Sequence, residues 1–412
     1  MKPTVTFIPL RDAVASDSVT NLDVIVRITT PEIKTTKPRL PLNLGLVIDR
    51  SGSMQGKKIE YARKAACYAV EQLSSTDRIS ITIYDDNVDV IVPSTLATNK
   101  QYILQKIKQI KPGDMTALHD GWLEGSTQVS QYLQPEQLNR VILLSDGLAN
   151  VGETNPDVIG SNVHGLSKHG VSTTTMGVGD DFNEDLMEAI SRSGDGNYYY
   201  IQKSEQLEGI FANELQGIMA TIGLKVSLGI KTMAHVTLVD VFNDLEKTEF
   251  CNYKLLNLIA GNSIDIVLRL KISPLSESLP LADFRLAYDN PETKSRKVSH
   301  YSLQLPVVNS SQLSKFPFNN EVREKVTQLM ASRAREEAVR NLDSGDIDGT
   351  SANLQRFKEE ILTSGIPMSP SIEQEIEELD GLMNEVQAGK HKTMRKNANY
   401  QSYQKRMNRQ DK

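Results

Sequence analysis

Only two cysteines, Cys67 and Cys251, occur in the 412 residues, far apart and in different expected elements. Two thiols do not make a disulfide framework, which excludes a small stapled scaffold. No stretch approaches the ~20 apolar residues needed to span a bilayer. The N-terminus, MKPTVTFIPLRD, has no apolar run long enough for a signal peptide. Catalytic signatures are lacking too: there is no Gly-rich phosphate loop of the Walker type, no Gly-x-Ser-x-Gly elbow and no His-rich metal motif. Neither cysteine has an evident base beside it in sequence. These absences lead to the expectation of a non-enzymatic protein without a membrane span, in the cytoplasm.

Hydrophobic residues make up 39% of the chain, below the usual apolar share, so some segment is expected outside the packed cores. The net charge of −6 is modest and gives no reason to expect nucleic-acid binding by the whole molecule. The charge is uneven, however. Residues 390–412 hold eight Lys or Arg and one Asp, a net of +7, leaving −13 for the rest.

At this length two or three domains are expected. Residues 1–40 read as two strands, Thr4–Pro9 and Leu22–Thr29, which cannot stand alone because a lone hairpin buries too little. From Pro41 the pattern changes to short, nearly continuous apolar runs alternating with helical periods: Leu42–Ile48, Lys57–Leu73, Ile79–Tyr84, Val88–Val92, Lys100–Ile110, Ala117–Leu133, Val141–Ser145, and onward to Glu205–Ile222. Strands apolar on both faces that alternate with helices predict a doubly wound, mainly parallel sheet over 41–222. Between 223 and 308 the period returns to two, as in Ile264, Ile266, Leu268, Leu270 and Ile272. This predicts an antiparallel β-sandwich that residues 1–40 complete, with the α/β unit as an insertion. A helical region follows over 316–389. It has two helices joined at Ser344–Gly349 and an acidic third, about Ser371–Ala388, capped by Ser369 or Ser371. Residues 390–412 are then a basic tail.

Chemistry concentrates at the ends of two buried strands. Asp49-Arg50-Ser51-Gly52-Ser53-Met54 follows the first, and Asp146 closes Leu143-Leu144-Ser145-Asp146-Gly147. Thr116 lies in the loop Pro112-Gly113-Asp114-Met115-Thr116, on the chain leading into the second. Asp-x-Ser-x-Ser alone is a weak signal, since Ser and Asp also cap helices. Position raises its value, because ligands of open α/β sheets bind beyond the carboxyl ends of the strands. Carboxylates and hydroxyls are hard oxygen donors, suited to Mg²⁺, with Mn²⁺ or Ca²⁺ as alternatives, rather than zinc. Asp49, Ser51, Ser53, Thr116 and Asp146 are therefore the expected metal ligands.

On these residues the segment Pro41–Gly223 resembles the von Willebrand factor type A family, whose metal-ion-dependent adhesion site joins an Asp-x-Ser-x-Ser loop to a distant Thr and a distant Asp. Asp120-Gly121 and Met176-Gly177-Val178-Gly179 match the family's context. One departure is Gly113-Asp114, where two glycines are usual. Asp114 is either an extra carboxylate beside the ion or a solvent-facing one. The resemblance implies a central sheet with one antiparallel edge strand and Mg²⁺-dependent protein recognition, in which a partner's carboxylate completes the ion's coordination. The layout of the whole chain is similar to bacterial relatives of the inter-alpha-trypsin-inhibitor heavy chains. It implies, as an alternative, an adaptor for an AAA+ ATPase of the MoxR or magnesium-chelatase kind.

Other signals have plainer readings. Ser344–Gly349 partly matches a calcium loop, but Gln355 stands where a bidentate Glu is wanted, so a helix-to-helix turn is expected. His119, in the first turn of a helix, is assigned no role beyond shaping the rim. The basic tail, with Tyr400 and Tyr403 interleaved, is open to three readings: nucleic-acid binding, a solvated tail, or contact with the acidic helix. A metal-assisted phosphohydrolase is the enzymatic alternative and ranks last.

Overall fold

A computed structural model of the chain describes residues 2–32, 39–134 and 137–408. The end of the expected basic tail, 409–412, lies outside the described residues. Two compact units emerge. One comprises Met1–Ile33, Lys225–Asp289 and Arg296–Lys412; the other comprises Lys34–Leu224 with Asn290–Ser295.

The chain opens with β1 (Thr4–Pro9), β2 (Val14–Ala15) and β3 (Thr20–Thr29). The α/β unit then runs β4 (Leu42–Asp49), α1 (Lys57–Gln72), β5 (Arg78–Tyr84), β6 (Val88–Leu96), α2 (Lys100–Lys108), α3 (Leu118–Ser130) and β7 (Leu138–Ser145). It continues through α4 (Pro156–Lys168), β8 (Val171–Val178), α5 (Glu184–Ser193), β9 (Tyr198–Ile201) and α6 (Leu207–Met219). The sheet order is β6-β5-β4-β7-β8-β9, parallel except for the antiparallel edge strand β6. After β4 the chain passes to β5 on one side, and later returns to β7 on the other. The order therefore reverses at β4, and Asp49 ends that strand.

All eight residues of β4 are buried. Leu42, Leu44, Leu46 and Ile48 share a core with Ile59, Ala62 and Ala66 of α1, Ile103 and Ile107 of α2, and Phe211 and Leu215 of α6. Each such buried aliphatic side chain contributes ~1.5–3 kcal/mol. The alternate positions face α3, which approaches so closely that a Cβ on Gly125 would stand 2.1 Å from Val47 Cγ2. A Cβ on Gly121 would stand 2.5 Å from Tyr84 Cγ. Close approach of α3 brings its N-terminus, and Thr116 just before it, down onto the sheet's carboxyl edge.

The other unit continues from β3 with β10 (Thr221–Thr232), β11 (Val236–Val241), β12 (Tyr253–Lys254), β13 (Leu258–Ile259), β14 (Ser263–Ile272), β15 (Pro280–Asn290), β16 (Ser295–Gln304) and β17 (Val307–Val308). One sheet is β1-β3-β14-β11; the second is β12-β10-β15-β16, with β13 beside β10. β3 and β14 pair over ten residues, from Thr20↔Ile272 to Thr29↔Ser263. Phe7 of β1 meets Phe284 of β15 with centroids 4.7 Å apart, which places the two sheets face to face as a sandwich. The sequence reading anticipated β1 and β3 but not β9, β11 or β16.

Helices α7 (Asn320–Asp343), α8 (Ile347–Thr363), α9 (Pro370–Gln387) and α10 (His391–Arg406) follow. Val322 and Leu329 of α7 pack on Ile25, Phe242 and Val267, so the outer face of β3 and β14 is covered as well. Asp346 caps α8 by accepting from Gly349 N at 2.8 Å, which makes Ser344–Gly349 a helix-to-helix turn. Ser369 caps α9.

The basic segment is not a free tail, which corrects the boundary drawn at 390. Residues 391–406 form α10, with Met394, Ala398 and Tyr403 buried. Its charges meet acids of the neighbouring helices: Lys405 lies 3.1 Å from Glu375, Arg406 2.8 Å from Glu336 and Arg395 2.9 Å from Asp343. Of the three readings of this segment, contact with the acidic helix is the one the structure contains.

Candidate metal centre

Three loops at the carboxyl edge of the α/β sheet are tied together by their backbones. Gly52 N donates to Asp114 O at 2.8 Å, and Gly113 N donates to Arg50 O at 2.6 Å. Thr116 N donates to Asn150 Oδ1 at 2.9 Å, while Thr116 O accepts from Asn150 N at 3.1 Å. The loops after β4, before α3 and after β7 thus form one surface.

Their side chains converge. Asp49 accepts from Ser51 N through Oδ1 at 2.8 Å and from Ser145 Oγ through Oδ2 at 2.7 Å. Ser51 Oγ and Ser53 Oγ lie 3.0 Å apart. Ser53 Oγ donates to Asp146 Oδ1 at 2.7 Å, and Lys58 Nζ lies 2.5 Å from Asp146 Oδ2. The Thr116 hydroxyl belongs to the same group: a Cβ on Gly147 would stand 3.4 Å from both Ser53 Oγ and Thr116 Oγ1, and 4.0 Å from Ser51 Oγ. Glycine at 147 keeps that cradle open. All five residues named from the sequence therefore meet at one point.

Asp49, Ser51, Thr116 and Asp146 are buried, and Ser53 is exposed, so the cluster opens to solvent on the Ser53 side. Burial pushes the Asp49 carboxyl up to about 6; hydrogen bonds from Ser145 and Ser51 oppose the rise, and the charge of Asp146 adds to it. Two carboxylates withdrawn from water side by side are costly unless a cation compensates them. Two carboxylates and three hydroxyls, with no thiol or imidazole among them, fit a hard divalent ion. Among the described residues, no group of three or more His, Cys, Asp or Glu is arranged to hold a metal. The donor set thus depends on its hydroxyls.

Two contributors were missed from sequence. Ser145 precedes Asp146 at the strand end, and that position was its only signal. Lys58 reaches Asp146 across 88 residues, which no local spacing encodes. Asp114 is exposed and takes part through its carbonyl, in line with the solvent-facing reading. His119 is buried, with Nε2 3.1 Å from Asn162 Nδ2 on α4 and its ring beside Trp122. That contact corrects its expected place on the rim.

A doubly wound sheet with this hydroxyl–carboxylate constellation at its reversal point defines an α/β domain of the ligand-binding kind. Residues 43–213 match the von Willebrand factor type A domain, and the chain carries such a domain. Domains of this family mediate protein–protein interaction and commonly bind a divalent metal. The chain is 25% identical over 348 residues to protein sll0103 of Synechocystis sp., covering 77% of this chain and 78% of that one. It is 27% identical over 201 residues to inter-alpha-trypsin inhibitor heavy chain H3 of Rattus norvegicus, covering 46% of this chain but only 22% of the rat protein. A solved von Willebrand factor type A protein from Catenulispora acidiphila shares the fold at TM-score 0.69 and 16% identity, over 92% of this chain and 90% of that one. No helix among the described residues is long and apolar enough to cross a membrane.

Proposed function

We propose that the chain is a divalent-metal-dependent protein-interaction module in which Asp49, Ser51, Ser53, Thr116 and Asp146 hold Mg²⁺, or Mn²⁺ or Ca²⁺ in its place. The observation that carries this reading is the convergence of three hydroxyls and two buried carboxylates from three loops. The bound ion would supply a Lewis-acidic point at which a partner's carboxylate completes the coordination. The chain's own residues orient the donors and keep water from the buried side. Met115 and Leu148, adjacent in sequence to the site, are exposed apolar side chains, a rim suited to a protein surface.

The site acts by binding rather than turnover. Ser51 and Ser53 share a hydrogen bond and Ser53 donates to Asp146, while the nearby histidine turns toward Asn162; among the described residues no imidazole stands ready to activate either hydroxyl. Absence of phosphoester hydrolysis with and without Mg²⁺ is the expected result of an activity screen. We further propose a reducing, cytoplasmic setting, supported by the free thiols of Cys67 and Cys251. An adaptor for an AAA+ ATPase is the narrower reading, which the family resemblance implies; metal-dependent copurification with such an ATPase tests it.

The central experiment is a pull-down with wild type, Asp49→Ala and Thr116→Val, in Mg²⁺ and in EDTA, read by mass spectrometry. Partners retained only by wild type in Mg²⁺ are expected. Undiminished capture in EDTA would overturn the reading.

A further inference from the structure

Lys58, the second residue of α1, sends its side chain across the sheet edge to Asp146. Its end passes Gly179, where a Cβ would meet Lys58 Cε and Nζ at 3.4 Å; glycine there leaves room for the ammonium group. The lysine side chain is 25% exposed, while the Asp146 side chain is fully buried. Each oxygen of Asp146 therefore has a partner, Ser53 on Oδ1 and Lys58 on Oδ2. Neighbouring Lys57 instead pairs with Glu205 at 3.0 Å, both side chains well exposed.

We propose that Lys58 is a counter-ion built into the metal site: its ammonium, held against Asp146, weakens the grip on a divalent cation and keeps the loaded site positive toward an acidic partner. The inference rests on the metal-binding reading above. Asp49 and Asp146 contribute −2 and Lys58 +1, so the three groups sum to −1. A divalent ion brings that local sum to +1 instead of neutrality. The residual charge favours an anionic group on the partner, and the cost is repulsion between ion and ammonium within a partly buried site. Lys58 sets affinity and specificity without itself serving as a ligand.

Calorimetric titration of the full chain with Mn²⁺ tests this, using wild type, Lys58→Met, Lys58→Arg and Lys57→Met. Lys58→Met is expected to tighten Mn²⁺ binding about tenfold or more, with Lys58→Arg near wild type. Lys57→Met loses the same charge at an exposed pair and should stay within about twofold. Equal or weaker binding by a folded Lys58→Met, with wild type binding, would overturn the proposal. Absence of Mn²⁺ binding by wild type, whatever Lys58→Met does, would overturn the metal reading on which the proposal rests. Melting temperatures separate an electrostatic role from a structural one. Without metal Lys58→Met should melt below wild type, and saturating Mn²⁺ should close the gap. A gap that persists unchanged at saturation would mark the lysine as structural and count against the proposal.

Discussion

At the scale of single residues, the site depends on what stands behind its ligands. Thr116 sits where it does because α3 lies against β4 and β5, and Gly121 permits that approach. Gly121→Ala would drive a methyl to 2.5 Å from Tyr84 Cγ. Since neither the buried ring nor the helix can yield cheaply, the expected loss is about 1–3 kcal/mol of stability. Urea denaturation measures it, and a midpoint unchanged from wild type would contradict the close packing. The donor cluster was legible from sequence because Asp49, Ser51 and Ser53 alternate in one loop and Asp146 follows a buried strand, with Thr116 in the loop before α3. Lys58 and Ser145 were not, since their roles depend on tertiary approach rather than on spacing.

At the scale of elements, apolar patterning decided what could be read. β4, β7 and β8 are buried almost throughout, and such strands appear in sequence as short apolar runs. β11 escaped because its buried ends, Val236 and Val241, enclose exposed and half-buried positions. α10 escaped for a different reason. Its buried positions include Ser402 and Lys396 as well as Met394, Ala398 and Tyr403, so its inner face lacks a continuous apolar stripe. Charge adds to the packing of Met394 and Ala398 against the other helices. Arg335 of α7 is fully buried against Glu375 at 2.5 Å and Glu378 at 2.9 Å, with Lys405 of α10 3.1 Å from Glu375. Glu375→Ala removes one of the two carboxylates that compensate buried Arg335 and the nearer partner of Lys405, and is expected to cost about 3 kcal/mol. A chemical denaturation curve measures this loss, and one below about 1 kcal/mol would show that the helices do not depend on the network.

At the scale of the whole molecule, the chain interrupts a β-sandwich with a complete α/β unit and resumes the sandwich afterwards. The two units have separate cores, so a single unfolding free energy does not describe the protein. β1 and β3 both serve the sandwich, and β3 alone supplies ten pairs to β14. The proposed metal site belongs to the inserted unit, and its donor cluster opens to solvent through Ser53. A cation that binds there stabilises the folded α/β unit by mass action. Mn²⁺ titration of the full chain by calorimetry, wild type against Thr116→Val, tests the central claim most directly, because valine keeps the shape and backbone bonds of Thr116 but removes one oxygen donor. The account predicts one site in wild type and at least about tenfold weaker binding in the variant. No binding by wild type, or equal binding by both, would contradict it.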